Sequence, residues 1–176
     1  MKIMTKKINF KITIEETAER HPVPVLGTDY KVKIIYKNIK FAELDVEDKI
    51  IKISLPNKYK KANNEKILDM AIDKMYEQIA KVEVERAMEK TRILLGFAPE
   101  DYEIKKLKKE LGKCEDNKIT INPEIVKYNR NIIDYIVLHQ YCHLKYKTHS
   151  KGFMKMIEKY EPKFEEYEKI VSIVFD

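Results

Sequence analysis

The chain has 176 residues, enough for one domain or a small domain with an appended layer. Its 44% hydrophobic and 36% charged content excludes a disordered chain, and no apolar run approaches the ~20 residues that cross a bilayer. The net charge of +6 is spread along the chain, so it gives weak support to a nucleic-acid partner.

The start, Met-Lys-Ile-Met-Thr-Lys-Lys, lacks the apolar stretch and cleavage site of a signal peptide. Cys114 and Cys142 do not make a disulfide framework. A reduced, cytoplasmic protein is the expectation.

Residues 1–58 read as a β-rich subdomain. Ile8, Phe10, Ile12 and Ile14 alternate with polar residues, the period of a half-buried strand. His21-Pro-Val-Pro breaks that run, and Gly27-Thr-Asp29 marks a turn. Tyr30, Val32 and Ile34 alternate again. Phe41 to Leu44 and Ile50 to Ile53 suggest two further strands, separated by the acidic turn Asp45-Val-Glu-Asp48. The expectation is a small antiparallel meander, closed by Leu55-Pro56-Asn57.

Residues 59–176 read as a second, helix-rich unit, which makes the fold class α+β. A long helix spans 63–95, with Asn63 or Asn64 as cap and Gly96 after its last turn. Ile67, Leu68, Ala71, Ile72, Met75, Ile79 and Val82 form its apolar stripe. Tyr102 to Leu107 and Lys118 to Ile121 are candidate strands, joined through a turn-rich stretch from Gly112 to Asn117. The lysines at 105, 106, 108 and 109 between them read as a solvated face.

The next helix is expected from about Ile132 to Tyr146, capped by Asn131, with Asp134 near the positive end of the helix dipole. Its first half is apolar nearly all round, which predicts burial. Ser150 can cap a third helix through Tyr160. Pro162 interrupts, and a fourth runs over 163–171.

Chemistry concentrates on the second of these helices. Three of the four histidines, His139, His143 and His149, fall within eleven residues. His139 and His143 are spaced i, i+4, so both imidazoles project from one helix face. His149 follows six residues later, near enough to supply a third nitrogen. Unrelated core or surface histidines are the bland alternative. Three protein donors suit a Zn2+ ion and leave one tetrahedral position open, the catalytic arrangement.

In a zinc peptidase helix the residue after the first histidine is the glutamate of H-E-x-x-H, the general base. Here it is Gln140. Cys142 lies between the two helix histidines and reads as an inert thiol facing away from them; Cys114 has a similar reading. Glu158 and Glu161 can approach from the following helix, though solvated positions fit them better.

The segment from Asp134 to Phe153, D-Y-I-V-L-H-Q-Y-C-H-L-K-Y-K-T-H-S-K-G-F, resembles the signature of the YgjP-like zinc metallopeptidases, roughly D-Y-V-V-x-H-E-L-C-H-L-x-x-x-N-H-S-x-x-F. That family is related to the SprT-like and other zincin-fold peptidases. Gly112-Lys-Cys114 with Lys118-Ile-Thr-Ile-Asn122 resembles its W-G-S-C and I-x-L-N stretch. Glu161-Pro-Lys-Phe164 resembles its P-D-Y element, and Leu26-Gly-Thr-Asp-Tyr30 its early G-x-x-Y strand.

The resemblance implies a zincin-like fold with an N-terminal β layer. It also implies His139, His143 and His149 as metal ligands and Gln140 in the general-base position. Leu111, Lys113 and Thr148 depart from the pattern, at places where the family has tryptophan, serine and asparagine.

Gln140 is the consequential departure. An amide cannot accept the proton of an attacking water near neutral pH, and losing a positioned base typically costs about 10²–10⁴ in rate. Two origins compete: an introduced Glu→Gln exchange, favoured because every metal-binding residue is intact, or a natural member that has lost hydrolysis or uses another base.

Three functions therefore stand. The first is a zinc-dependent metallopeptidase-type hydrolase acting on polypeptide, impaired by Gln140. The second, also implied by the resemblance, is a metal-dependent nucleoside triphosphate (UTP) pyrophosphatase using the basic residues around 105–109. The third is a non-catalytic zinc-containing module that binds protein or DNA. No membrane partner is expected.

Overall fold

The computed structural model describes residues 22–60 and 64–171. The alternating segment Ile8–Ile14 and the candidate cap Asn63 lie outside the described residues. Among the described residues the fold is α+β, with two small sheets and four α-helices in the order β1 (Val23–Val25), β2 (Thr28–Lys37), β3 (Glu43–Glu47), β4 (Ile50–Pro56), α1 (Asn64–Leu95), β5 (Asp101–Ile104), β6 (Gly112–Glu115), β7 (Lys118–Ile121), α2 (Arg130–Lys145), α3 (Lys151–Tyr160) and α4 (Phe164–Val171).

The first sheet has the order β1-β2-β4-β3. β1 and β2 are antiparallel, as are β3 and β4, but β2 and β4 are parallel, with Lys31 opposite Ile50 and Lys37 opposite Pro56. The expected antiparallel meander is therefore incorrect. The physical reason lies in the strand sequences. β4 carries Ile51, Ile53 and Leu55, each at most 1% exposed, so it takes the centre, with a partner on each side. β3 carries Glu43, Asp45 and Glu47 and is exposed along its whole length, so it takes an edge, where charge is tolerated.

Turn positions also differ from expectation. Asp45 to Glu47 is strand, and the reversal is the pair Asp48-Lys49, both at positive φ (49° and 62°). Leu26-Gly27 (49°, 79°) and Asp116-Asn117 (47°, 61°) repeat that geometry. All three are two-residue hairpins of the kind whose twist matches that of the strands. Acidic composition alone does not locate such a turn; the positive φ at both residues does.

The second sheet has the order β5-β7-β6, with β5 parallel and β6 antiparallel to β7. Gly112 to Glu115, expected as a turn, is the edge strand β6. β5 stops at Ile104, short of the expected Leu107. The second sheet thus repeats the β2-β4-β3 part of the first.

α1 spans 32 residues and is followed by Gly96, whose φ of 75° suits glycine and whose N–H donates to the Arg92 carbonyl. Leu68 and Met75 are buried as expected, but Val82 is 66% exposed. The buried face continues instead through Tyr76, Ala80, Val84, Ala87 and Met88. Beside it, Glu83 is only 3% exposed. Its carboxylate accepts from Arg130 at 2.7 Å and from Arg86 at 3.0 Å, and Arg86 and Lys90 both donate to Asp134.

These ion pairs clamp the start of α2 to α1. They also account for two corrections. Asp134 serves an interhelical pair rather than the helix dipole, and α2 begins earlier than expected, at Arg130. Its cap is Asn129, not Asn131: the Asn129 side chain accepts the Ile132 N–H at 3.1 Å. From Ile132 to Cys142 every residue of α2 except Asp134 is buried, as its apolar sequence requires. Ser150 caps α3, accepting the Phe153 N–H, and Pro162 separates α3 from α4.

Candidate metal centre

The three histidines converge. His139 and His143 lie one turn apart on α2, with Nε2 atoms 3.1 Å apart. α2 ends at Lys145 with Tyr146 as its C-cap, and the short loop to Ser150 returns His149, whose Nε2 stands 3.2 Å from each of the other two. A tetrahedral ion with metal–nitrogen bonds of about 2.0–2.1 Å places its donors about 3.3 Å apart. Three nitrogens in this near-equilateral triangle fit a divalent ion of zinc's size. Among the described residues no other histidine, cysteine or carboxylate completes such a group. Glu158 is exposed, and Glu161 turns to accept the Lys163 N–H.

Burial sets the ligand state of the imidazoles. His139 is 2% exposed, and burial first, then the adjacent His143 and His149 rings, push its pKa down to about 2. Burial also lowers His143, partly opposed by the Tyr146 carbonyl. Neutral imidazole is the form that binds a metal. The other ring nitrogens are directed as well. His143 Nδ1 meets the Tyr146 carbonyl at 3.0 Å, which requires Nδ1–H and frees Nε2. His139 Nδ1 faces the Tyr135 hydroxyl at 3.5 Å. The exposed member of the cluster is His149, so the triangle opens to solvent on that side.

Phe153, 1% exposed, packs on all three rings, with centroids 4.6 to 4.9 Å away. It is the last residue of the signature, and no role for it is visible in the sequence. Its i+3 position from the Ser150 cap, which turns it back under the loop, is the one local signal of its place.

Gln140 follows His139 on α2 and is 1% exposed. Its side chain packs against β6: a Cβ on Gly112 would lie 3.0 Å from its Cγ, Cδ and Nε2. Nε2 is buried and finds no hydrogen-bond partner among the described residues. Packing against a bare glycine therefore holds that end of the side chain. Cys142 is fully buried, its thiol pushed up to about 12 by burial, and Cys114, half-buried, is raised for the same reason. Neither is a poised nucleophile. The lysines at 105, 106, 108 and 109 are exposed between β5 and β6, with Lys106 paired to Asp73 at 2.7 Å.

A model of the YgjP-like family, described as its metallopeptidase domain, matches residues 2–172. The chain belongs to the YgjP-like family. Similar solved structures include two metallopeptidase zymogens. Abylysin of Pyrococcus abyssi is 27% identical, matched over 50% of this chain and 90% of that one, with a TM-score of 0.46. Jannalysin of Methanocaldococcus jannaschii is 22% identical, over 53% and 91%, with a TM-score of 0.46. No curated protein sequence matches the chain. The YgjP-like assignment makes this a metallopeptidase-type hydrolase domain, whose chemistry implies a divalent metal, and the histidine triangle offers the donors. Among its described residues no helix is long and apolar enough to cross a membrane.

Proposed function

We propose that the chain is a zinc-dependent metallopeptidase-type hydrolase in which His139, His143 and His149 hold the metal and Gln140 occupies the general-base position. The observation that carries this reading is the meeting of three Nε2 atoms within 3.2 Å of one another. A bound zinc would supply Lewis acidity towards a substrate carbonyl and acidify water.

The chain's own groups do the rest. Tyr146 orients His143, burial keeps His139 neutral, and Phe153 closes one side of the cluster with an apolar ring. Gln140 cannot take a proton, so turnover by this chain is expected to fall about 10²–10⁴ below that of a glutamate form. The substrate class is polypeptide, in keeping with the family. A cytoplasmic location belongs to the same reading. So does the division at residue 58, with the Leu26-Gly27 turn seated on the second unit through N–H bonds to the Val126 and Lys127 carbonyls.

Metal analysis tests the site: about one zinc per chain is expected, and none in H143A. Chemistry is tested with Q140E against an unfolded polypeptide and, separately, UTP. Polypeptide cleavage that appears with Q140E supports the reading. Zinc-free wild-type protein, or a Q140E form that cleaves UTP alone, overturns it.

A further inference from the structure

One route to the histidine triangle runs through a glycine on the neighbouring helix. Tyr146 caps the C-terminus of α2, and its N–H still donates to the Cys142 carbonyl at 2.9 Å. Its carbonyl accepts the Nδ1–H of His143 at 3.0 Å. Its ring, meanwhile, lies on the first turn of α3. A Cβ built on Gly152 would stand 2.6 Å from Tyr146 Cε1, 3.0 Å from Cζ and 3.3 Å from Cδ1.

No left-handed φ demands glycine there, and helix propensity alone favours alanine. The demand comes from the ring. The same residue therefore touches a candidate ligand with its backbone and the following helix with its side chain.

We propose that Gly152 is a positioning residue for the metal centre. By leaving room for the Tyr146 ring it fixes the Tyr146 carbonyl, and through that carbonyl the tautomer of His143 and the aim of its Nε2. The functional weight of this inference rests on the reading of His143 as a ligand; the tautomer does not. A methyl group at 152 pushes the ring off α3, and the carbonyl moves with it. His143 then loses the acceptor that keeps its proton on Nδ1, and its Nε2 is no longer reserved for a metal.

Two measurements test this. Long-range 1H–15N correlation spectra of the metal-free protein report which nitrogen of His143 carries the proton. The expected result is Nδ1–H in the wild type and a mixture of tautomers in G152A and in Y146A. Adding G152A to Y146A changes nothing further, because the methyl then meets no ring.

Zinc affinity, measured by competition with a chromogenic chelator, is expected to fall about 10-fold or more in G152A, again with no added loss in the double variant. Wild-type tautomer and affinity in G152A overturn the proposal, as does an equal loss with and without the ring. If G152A does not fold, Y146A decides alone, and an unchanged tautomer there overturns it. A wild type that binds no zinc while the tautomers follow the expected pattern removes the ligand reading and leaves the positioning role standing.

Discussion

The two sheets share one plan and differ in what stands beside them. In each, a strand is followed by a two-residue hairpin whose second strand pairs parallel with the first: β2-β4-β3 and β5-β7-β6. The hairpin's first strand is the edge in both. In the first sheet that edge, β3, is exposed throughout, with Leu44 at 40% and Val46 at 48%. In the second sheet the edge, β6, lies against α2, and its Gly112 meets Gln140. One topology therefore yields a charged border in one place and the wall of a candidate site in the other. What separates them is the neighbouring helix and the glycine that lets it approach.

The largest test of that difference is the clamp that seats α2. Glu83→Ala removes the carboxylate that joins Arg130 and Arg86, but both guanidinium groups reach solvent and Arg86 keeps Asp134, so a loss of about 3 kcal/mol in denaturant unfolding is expected. The acid dependence has a definite sign. Glu83 is held below its ordinary value of 4.5, chiefly by Arg130. A carboxylate depressed in this way stabilises the fold above its unfolded pKa and loses that contribution as pH falls through the folded value. E83Q should therefore flatten the loss of stability below about pH 4.5, as followed by unfolding midpoints across pH.

Next in size, zinc at a hundred times its dissociation constant should stabilise the wild type by about 2.7 kcal/mol, and H143A should show no such gain in thermal melts. At β6, Gly112→Val crowds Gln140 and should cost about 1–3 kcal/mol. The matching change at the other edge, Val46→Lys on β3, should stay within about 0.5 kcal/mol. A β3 variant as costly as the β6 variant would abolish the contrast between the two sheets.

Much of the candidate site was legible because its signals are local. Histidines at i, i+4, a serine at an N-cap and an unbroken apolar half-helix are each readable within a few residues, and α1 through α4 appear close to their expected bounds. What was misread depends on distant partners. The parallel pairing of β2 with β4 follows from which strand most needs burial, a comparison across the whole sheet. The choice of Asn129 over Asn131 follows from Arg130 meeting Glu83, 47 residues away. Gly112-Lys-Cys114 has the composition of a turn, and only the Asp116-Asn117 hairpin with the packing of α2 makes it a strand. Tyr146 and Gly152 gave no sequence signal, since neither a carbonyl's direction nor the space above a glycine is written in a residue type.

The Asp116-Asn117 reversal has one further consequence, best put as a matter of indexing. It pairs Glu115 with Lys118 and so fixes which residues of β6 face which way. Side chains on a strand alternate, and a slip of one residue exchanges the two faces. A single residue inserted between Asp116 and Asn117 would bring Lys113 to the place where Gly112 now meets Gln140, setting an ammonium group against a wall that at present has no side chain at all.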